Sequence, residues 1–135
     1  KMGRAQKIND KLPPFVALTW EILNSEAYKD ITPSAAKALP YFLGKVKIPF
    51  NNTKKYLTKF DFSYTEAKRY GFATTTHHRT ICQLVEKGFI DPVDRGGLRS
   101  DGSSYNKFYL SKRWEKYGTD TFEIIYWNRF FPKDK

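Results

Sequence analysis

Two rhythms of hydrophobic residues alternate along this chain, and proline, glycine and hydroxyl side chains mark where one gives way to the other. Leu12-Pro13-Pro14 closes off the N-terminal residues, because the residue before a proline is driven into extended geometry. Beyond it Phe15, Leu18, Ile22 and Leu23 recur at i, i+3, i+7 and i+8, which predicts a helix over 15–28. Thr32-Pro33 then supplies a hydroxyl cap and a proline at the first helical position. Ala36, Leu39, Leu43 and Val46 share one face of the helix that follows. Pro40 lies inside it and predicts a kink or an early end. Residues 47–58 read as a loop around Pro49 and Asn51-Asn52, and residues 59–62 alternate in the period of a short strand.

The second half is punctuated more sharply. Ser63-Tyr64-Thr65-Glu66 is a capping box, in which the serine hydroxyl meets one orphan amide and the glutamate reaches back to another. The helix it opens is short, because Gly71 is placed to take the left-handed conformation that closes a helix. Thr74 caps a second helix over 75–87, which stops at Gly88. Residues 89–94 then form a strand with edge character because of Pro92. A Gly/Ser-rich tip containing Arg95 and Arg99 leads to a second strand over 105–110. A short helix over 112–117 and an aromatic-rich stretch over 122–131, read as a strand or a docking segment, complete the chain.

Composition narrows the class. The 135 residues hold 40% hydrophobic and 17% aromatic side chains, enough for one ordinary core. Cys82 is the single cysteine, so neither an intrachain disulfide nor a multi-cysteine zinc site can form. The longest apolar stretches, around 15–23 and 35–46, break well short of the roughly 18 to 20 residues of a membrane span. No apolar segment follows the N-terminal lysines in the manner of a secretory signal. A cytoplasmic protein without membrane contact is the expectation.

Lys and Arg number 24 against 14 Asp and Glu, a net charge of +10, and the excess is uneven. Lys1, Arg4, Lys7 and Lys11 against Asp10 give a basic arm of +3 over residues 1–12, ahead of a domain over 13–118 and an aromatic extension over 119–135 that packs on the domain or on a partner chain. Lys45, Lys47, Lys54, Lys55, Lys59, Lys68 and Arg69 against Asp61 and Glu66 give a further +5 over 45–69. Such charge favours a polyanionic partner, although a basic surface also serves plain solubility.

Two helices, a short strand, a helix, a glycine turn, a helix and a two-stranded hairpin make an α+β, mostly helical pattern. That order, with Ser63-Tyr64-Thr65-Glu66-Ala67, Tyr70-Gly71-Phe72, Arg79-Thr80-Ile81 and Leu84-Val85-Glu86-Lys87-Gly88-Phe89-Ile90-Asp91, resembles the winged helix-turn-helix proteins of phages, plasmids and other mobile elements. The likeness runs over about residues 15–113 and is strongest over 63–91. Pro40 and the aromatic C-terminal segment depart from it. The resemblance implies a two-stranded wing, and sequence-specific binding of double-stranded DNA in replication initiation or transcription regulation. The helix over 75–87 would enter the major groove.

At 100° per residue, His77, Ile81, Leu84 and Gly88 cluster on one side of that helix, with Thr80 and Val85 at the edges. This is the core face, and His77 is a core histidine. The opposite stripe carries Thr75, Arg79, Cys82 and Glu86, flanked by His78 and Gln83. Arginine grips guanine bidentately, glutamine reads adenine and threonine meets a base edge or a thymine methyl. Thr75, His78, Arg79 and Gln83 are therefore the candidate base contacts. Thr74, Lys54, Lys55, Lys68, Arg69, Arg95, Arg99 and Lys107 are the candidate phosphate contacts. On its own each is more often an ordinary surface residue, His78 evenly so, and Cys82 is incidental.

Enzyme chemistry finds no support in the pattern. Gly44-Lys45 lacks the upstream glycine of a P-loop, and Gly96-Gly97 precedes no helix. His77 and His78 point about 100° apart, so they do not make the three- or four-ligand set of a zinc site. The reading is a DNA-binding domain without metal, cofactor or small-molecule substrate, with double-stranded DNA as its partner and a homodimer as a candidate assembly. The alternative is a protein-interaction module using the aromatic segment of Phe122, Ile124, Tyr126, Trp127, Phe130 and Phe131.

Overall fold

In the computed structural model, residues 13–94 and 106–129 are described. The first amphipathic stretch does not form one helix. Residues 13–19 are irregular, and two short helices follow, α1 (Trp20–Leu23) and α2 (Glu26–Asp30). Hydroxyls decide this: Thr19 Oγ1 accepts from the Ile22 amide at 3.3 Å and Ser25 Oγ from the Tyr28 amide at 3.1 Å. Each helix thus starts afresh at a side-chain cap, which competes locally with a continuous backbone ladder. Of the four residues predicted on the buried face only Ile22 is buried, and Phe15 is 78% exposed.

Thr32 caps α3 (Pro33–Leu43) as its hydroxyl predicts, accepting from the Ala35 amide at 3.3 Å. The helix runs through Pro40 to Leu43. Its buried face is Ala35, Ala38, Leu39, Phe42 and Leu43, which includes the predicted Leu39 and Leu43 but replaces Ala36 with Ala35, and Phe42 is fully buried. Val46 is buried too, but beyond the end of the helix. The predicted loop contains a 3-10 helix, Thr53–Leu57, which starts where the Asn52 side chain accepts from the Lys54 amide at 2.9 Å.

Residues 63–88 form two helices joined by a glycine turn, as their punctuation predicts, except at the start of the second helix. The capping box opens α4 (Tyr64–Arg69), with Ser63 Oγ accepting from the Glu66 amide at 3.1 Å and Glu66 Oε1 from the Ser63 amide at 3.2 Å. Gly71 has φ +93°. The Gly71 and Phe72 amides donate back to the Lys68 and Ala67 carbonyls at 3.0 and 2.9 Å, the paired bonds of a Schellman close. The helix that follows, α5 (Thr74–Glu86), has Ala73 and not Thr74 at its N-cap, with no side-chain cap. It closes at Gly88 (φ +91°) by the same pair of bonds, from Gly88 to Val85 and from Phe89 to Leu84.

The strands β1 (Phe60–Asp61), β2 (Ile90–Asp94) and β3 (Lys107–Leu110) form an antiparallel sheet of order β1-β3-β2. Phe60 faces Phe108, Ile90 faces Leu110, and the register shifts between Pro92 and Asp94. Pro92 sits on an edge strand, where its missing amide costs the ladder least. Sheet and helices meet in an aromatic core. The Phe42 ring stacks on Phe62 at 4.3 Å and lies near Phe60 and Phe108.

Past β3, Arg113–Lys116 is a 3-10 helix, shorter than the predicted helix. Within the aromatic stretch, the described residues hold no strand. They end in a 3-10 turn, Trp127–Arg129, whose Trp127 is 2% exposed with its ring 5.4 Å from that of Phe108. The basic arm over 1–12, the hairpin tip with Arg95 and Arg99, and Phe130 and Phe131 lie outside the described residues. Among the described residues, no helix is long and apolar enough to cross a membrane.

Candidate nucleic-acid interface

The inner face of α5 is as its periodicity predicts: His77, Thr80, Ile81, Leu84 and Val85 are all buried. His77 packs between Phe62 and Tyr64, with ring centroids at 5.6 and 4.9 Å. Its Nε2 is buried and finds no hydrogen-bond partner among the described residues. Burial pushes the imidazole pKa below the usual histidine value. His78 adds to that, while a backbone hydrogen bond with Phe62 and the Glu66 carboxylate oppose it.

The outer face is narrower than the sequence suggested, because both its flanks are occupied by the protein itself. On one side Gln83 Oε1 accepts from the Thr32 amide at 3.2 Å, which ties the glutamine to the start of α3. On the other, His78 Nε2 lies 3.1 Å from Asn128 Oδ1 of the C-terminal turn and 3.7 Å from Cys82 Sγ. Thr75 and Arg79 are exposed between these flanks, and Thr74 is exposed one turn before His78, on its side of the helix. The first-turn amides of α5 are free of any side-chain cap, the arrangement in which a helix N-terminus attracts an anion.

The cations separate into two groups. Lys54, Lys68 and Arg69 are exposed, the last two in the final turn of α4, and Lys107 is half-buried on the central strand. Lys55 is not available to a phosphate. It is 8% exposed, and its ammonium donates to the carbonyls of Leu43, Val46 and Ile48 at 3.2, 2.7 and 3.0 Å. A cation there complements the carbonyl end of α3. Burial, reinforced by Lys47, lowers its pKa from the ordinary lysine value. Lys45 is also spent internally, paired with Glu66 and lying 3.9 Å from Asp61.

Arg113, which no sequence signal singled out, ties together the elements behind α5. Its guanidinium pairs with Asp91 and donates to the carbonyls of Val85, Ile90 and Glu123 at 2.8, 3.0 and 2.8 Å. It therefore joins the end of α5, the start of β2 and the C-terminal segment. A second tie lies beside it. The Tyr117 hydroxyl donates to Asp30 at 2.6 Å and accepts from Lys87 at 3.1 Å, linking α2 to the end of α5. One basic residue in a basic chain carries no local mark of such a role.

Among the described residues no group of three or more His, Cys, Asp or Glu side chains is placed to hold a metal ion. Comparison of the chain with protein-family models, with curated proteins and with solved structures returns no match.

Proposed function

We propose that the chain binds duplex DNA as a winged-helix protein, with α5 entering the major groove and the β2–β3 hairpin lying along the backbone. The observation that carries this reading is the pairing of a short capped helix, a left-handed glycine and a second helix whose outer face presents Thr74, Thr75 and Arg79 to solvent. A three-stranded antiparallel sheet in which the strand before the motif pairs with the last strand of the hairpin supports it. Arg79 is the base reader, Thr75 its neighbour, and Thr74 with the first-turn amides grips a phosphate. Lys54, Lys68 and Arg69 supply the surrounding positive surface, and a regulator or replication initiator is the role that fits.

Selection of bound duplexes from random DNA gives the site on which to test this. Arg79→Ala should then weaken binding to the selected site by about 1 to 3 kcal/mol and relax the base preference at one position. Wild-type affinity that is indifferent to salt between low and moderate ionic strength would contradict phosphate contact altogether. The other reading, a protein-interaction module built on the aromatic C-terminal segment, loses its largest described side chain to the core, since Trp127 is buried. Ile124 and Tyr126 remain exposed for such a partner.

A further inference from the structure

The C-terminal turn meets α5 on the side it would show to DNA, and nothing in the periodicity of the chain anticipates that contact. Trp127 is 2% exposed and packs on Phe108 of the central strand. Burial of a tryptophan on this scale fixes the turn as part of the domain, not as a flap resting on it. The next residue, Asn128, lies 3.1 Å from His78 Nε2 through its Oδ1. Arg129 follows, exposed, with its guanidinium over the Tyr126 ring at 5.0 Å and no carboxylate partner among the described residues.

Resting on the DNA-binding reading, we infer that Asn128 and Arg129 form one wall of the DNA-contact surface, Arg129 as a phosphate contact and Asn128 as the residue that positions His78. The geometry of the groove supplies the reason. A helix with its side chains is about 10 to 12 Å across, close to the roughly 12 Å width of the major groove. Groups on the flank of a seated helix therefore meet the phosphates bordering the groove, not base edges. The His78 edge of α5 is such a flank, and Arg129 directly follows the residue that meets it. Stacking on Tyr126 restrains the arginine before binding and so lowers the ordering cost of the contact. With its Nε2–H donated to Asn128, His78 has only Nδ1 left for an outside partner and acts as part of this wall.

The test uses the full chain and a mixed-sequence duplex of about 25 base pairs, long enough to cover one domain, titrated over a series of salt concentrations. Arg129→Ala should lower the slope of log affinity against log salt by about 0.9, the value of one phosphate contact. Arg129→Lys should restore it. Lys116→Ala, which removes an exposed cation from the 3-10 helix after β3, should leave the slope unchanged. Thermal melting that matches wild type for Arg129→Ala separates the effect from folding. Should Arg129→Ala behave as Lys116→Ala does while wild-type binding stays salt-dependent, the inference fails and the DNA-binding reading stands. If wild-type binding shows no salt dependence, both fall.

Discussion

Replacing Arg113 with methionine tests how much of this fold depends on a single, largely enclosed cation. The side chain is 12% exposed and meets four partners: the Asp91 carboxylate and the carbonyls of Val85, Ile90 and Glu123. Methionine retains most of the apolar stem but none of the donors. A hydrogen bond involving a charged group is worth about 1.5 to 3 kcal/mol. The four bonds share one group and do not add, and Asp91 at 36% side-chain exposure recovers part of its loss from water. Removing one partner of a buried pair costs about 3 to 5 kcal/mol, and the lower half of that range is the expectation here. Against a total stability of about 5 to 15 kcal/mol for a domain, the melting temperature should drop by about 10 °C or more. Urea unfolding followed by far-UV circular dichroism measures the difference directly. Asp91→Asn alone should cost about 1 kcal/mol, because the three carbonyl bonds survive it. A loss under 1 kcal/mol for Arg113→Met would refute the view that this guanidinium joins α5, β2 and the C-terminal segment.

Two further outcomes follow from the same geometry. Gly88 and Gly118 both have positive φ, +91° and +88°. A Cβ on Gly88 would meet the Trp114 amide nitrogen at 2.6 Å, whereas one on Gly118 meets nothing within 4 Å. Gly118→Ala should therefore cost only the left-handed penalty of about 1 to 2 kcal/mol, and Gly88→Ala clearly more in the same denaturation assay; equal losses would show that the backbone contact is unimportant. His77 gives a pH signature. Because burial lowers its pKa in the folded chain, the unfolded chain takes up the proton first as pH falls through about 6.5. Stability is thus full above that pH and declines from there down to the folded value, by about 1.4 kcal/mol for each tenfold difference in proton affinity between the two states. His77→Phe, which retains an aromatic ring between Phe62 and Tyr64, should flatten the decline between pH 7 and about 5.5, above the main carboxylate range. Parallel curves for the two proteins would remove His77 as the cause.

The local grammar of the chain settled those parts whose conformation is decided within a few residues. The Thr32-Pro33 start, the Ser63 to Glu66 capping box and the left-handed closes at Gly71 and Gly88 all depend on bonds between neighbours three to five positions apart. The inner face of α5 was legible for a related reason, since a 3.6-residue period over thirteen residues leaves one side to bury. Where local signals competed, the pattern misled. The apolar spacing of 15–28 promised one helix, but the hydroxyls of Thr19 and Ser25 divide it into two.

The fate of individual polar side chains, by contrast, depends on long-range folding. Lys55 and Lys54 are adjacent in a basic loop and alike in composition. Yet Lys55 is buried on three carbonyls near the end of α3 while Lys54 stays in solvent. Gln83 and His78 stand on the flanks of one helix, and their partners, Thr32 and Asn128, lie 51 and 50 residues away. No local rule reaches that far. Period and capping are set by the backbone and its nearest neighbours, whereas the partner of a long polar side chain is set by which distant segment folding brings within hydrogen-bonding reach. Helical period therefore places the exposed face of α5, and long-range packing sets how much of that face remains open.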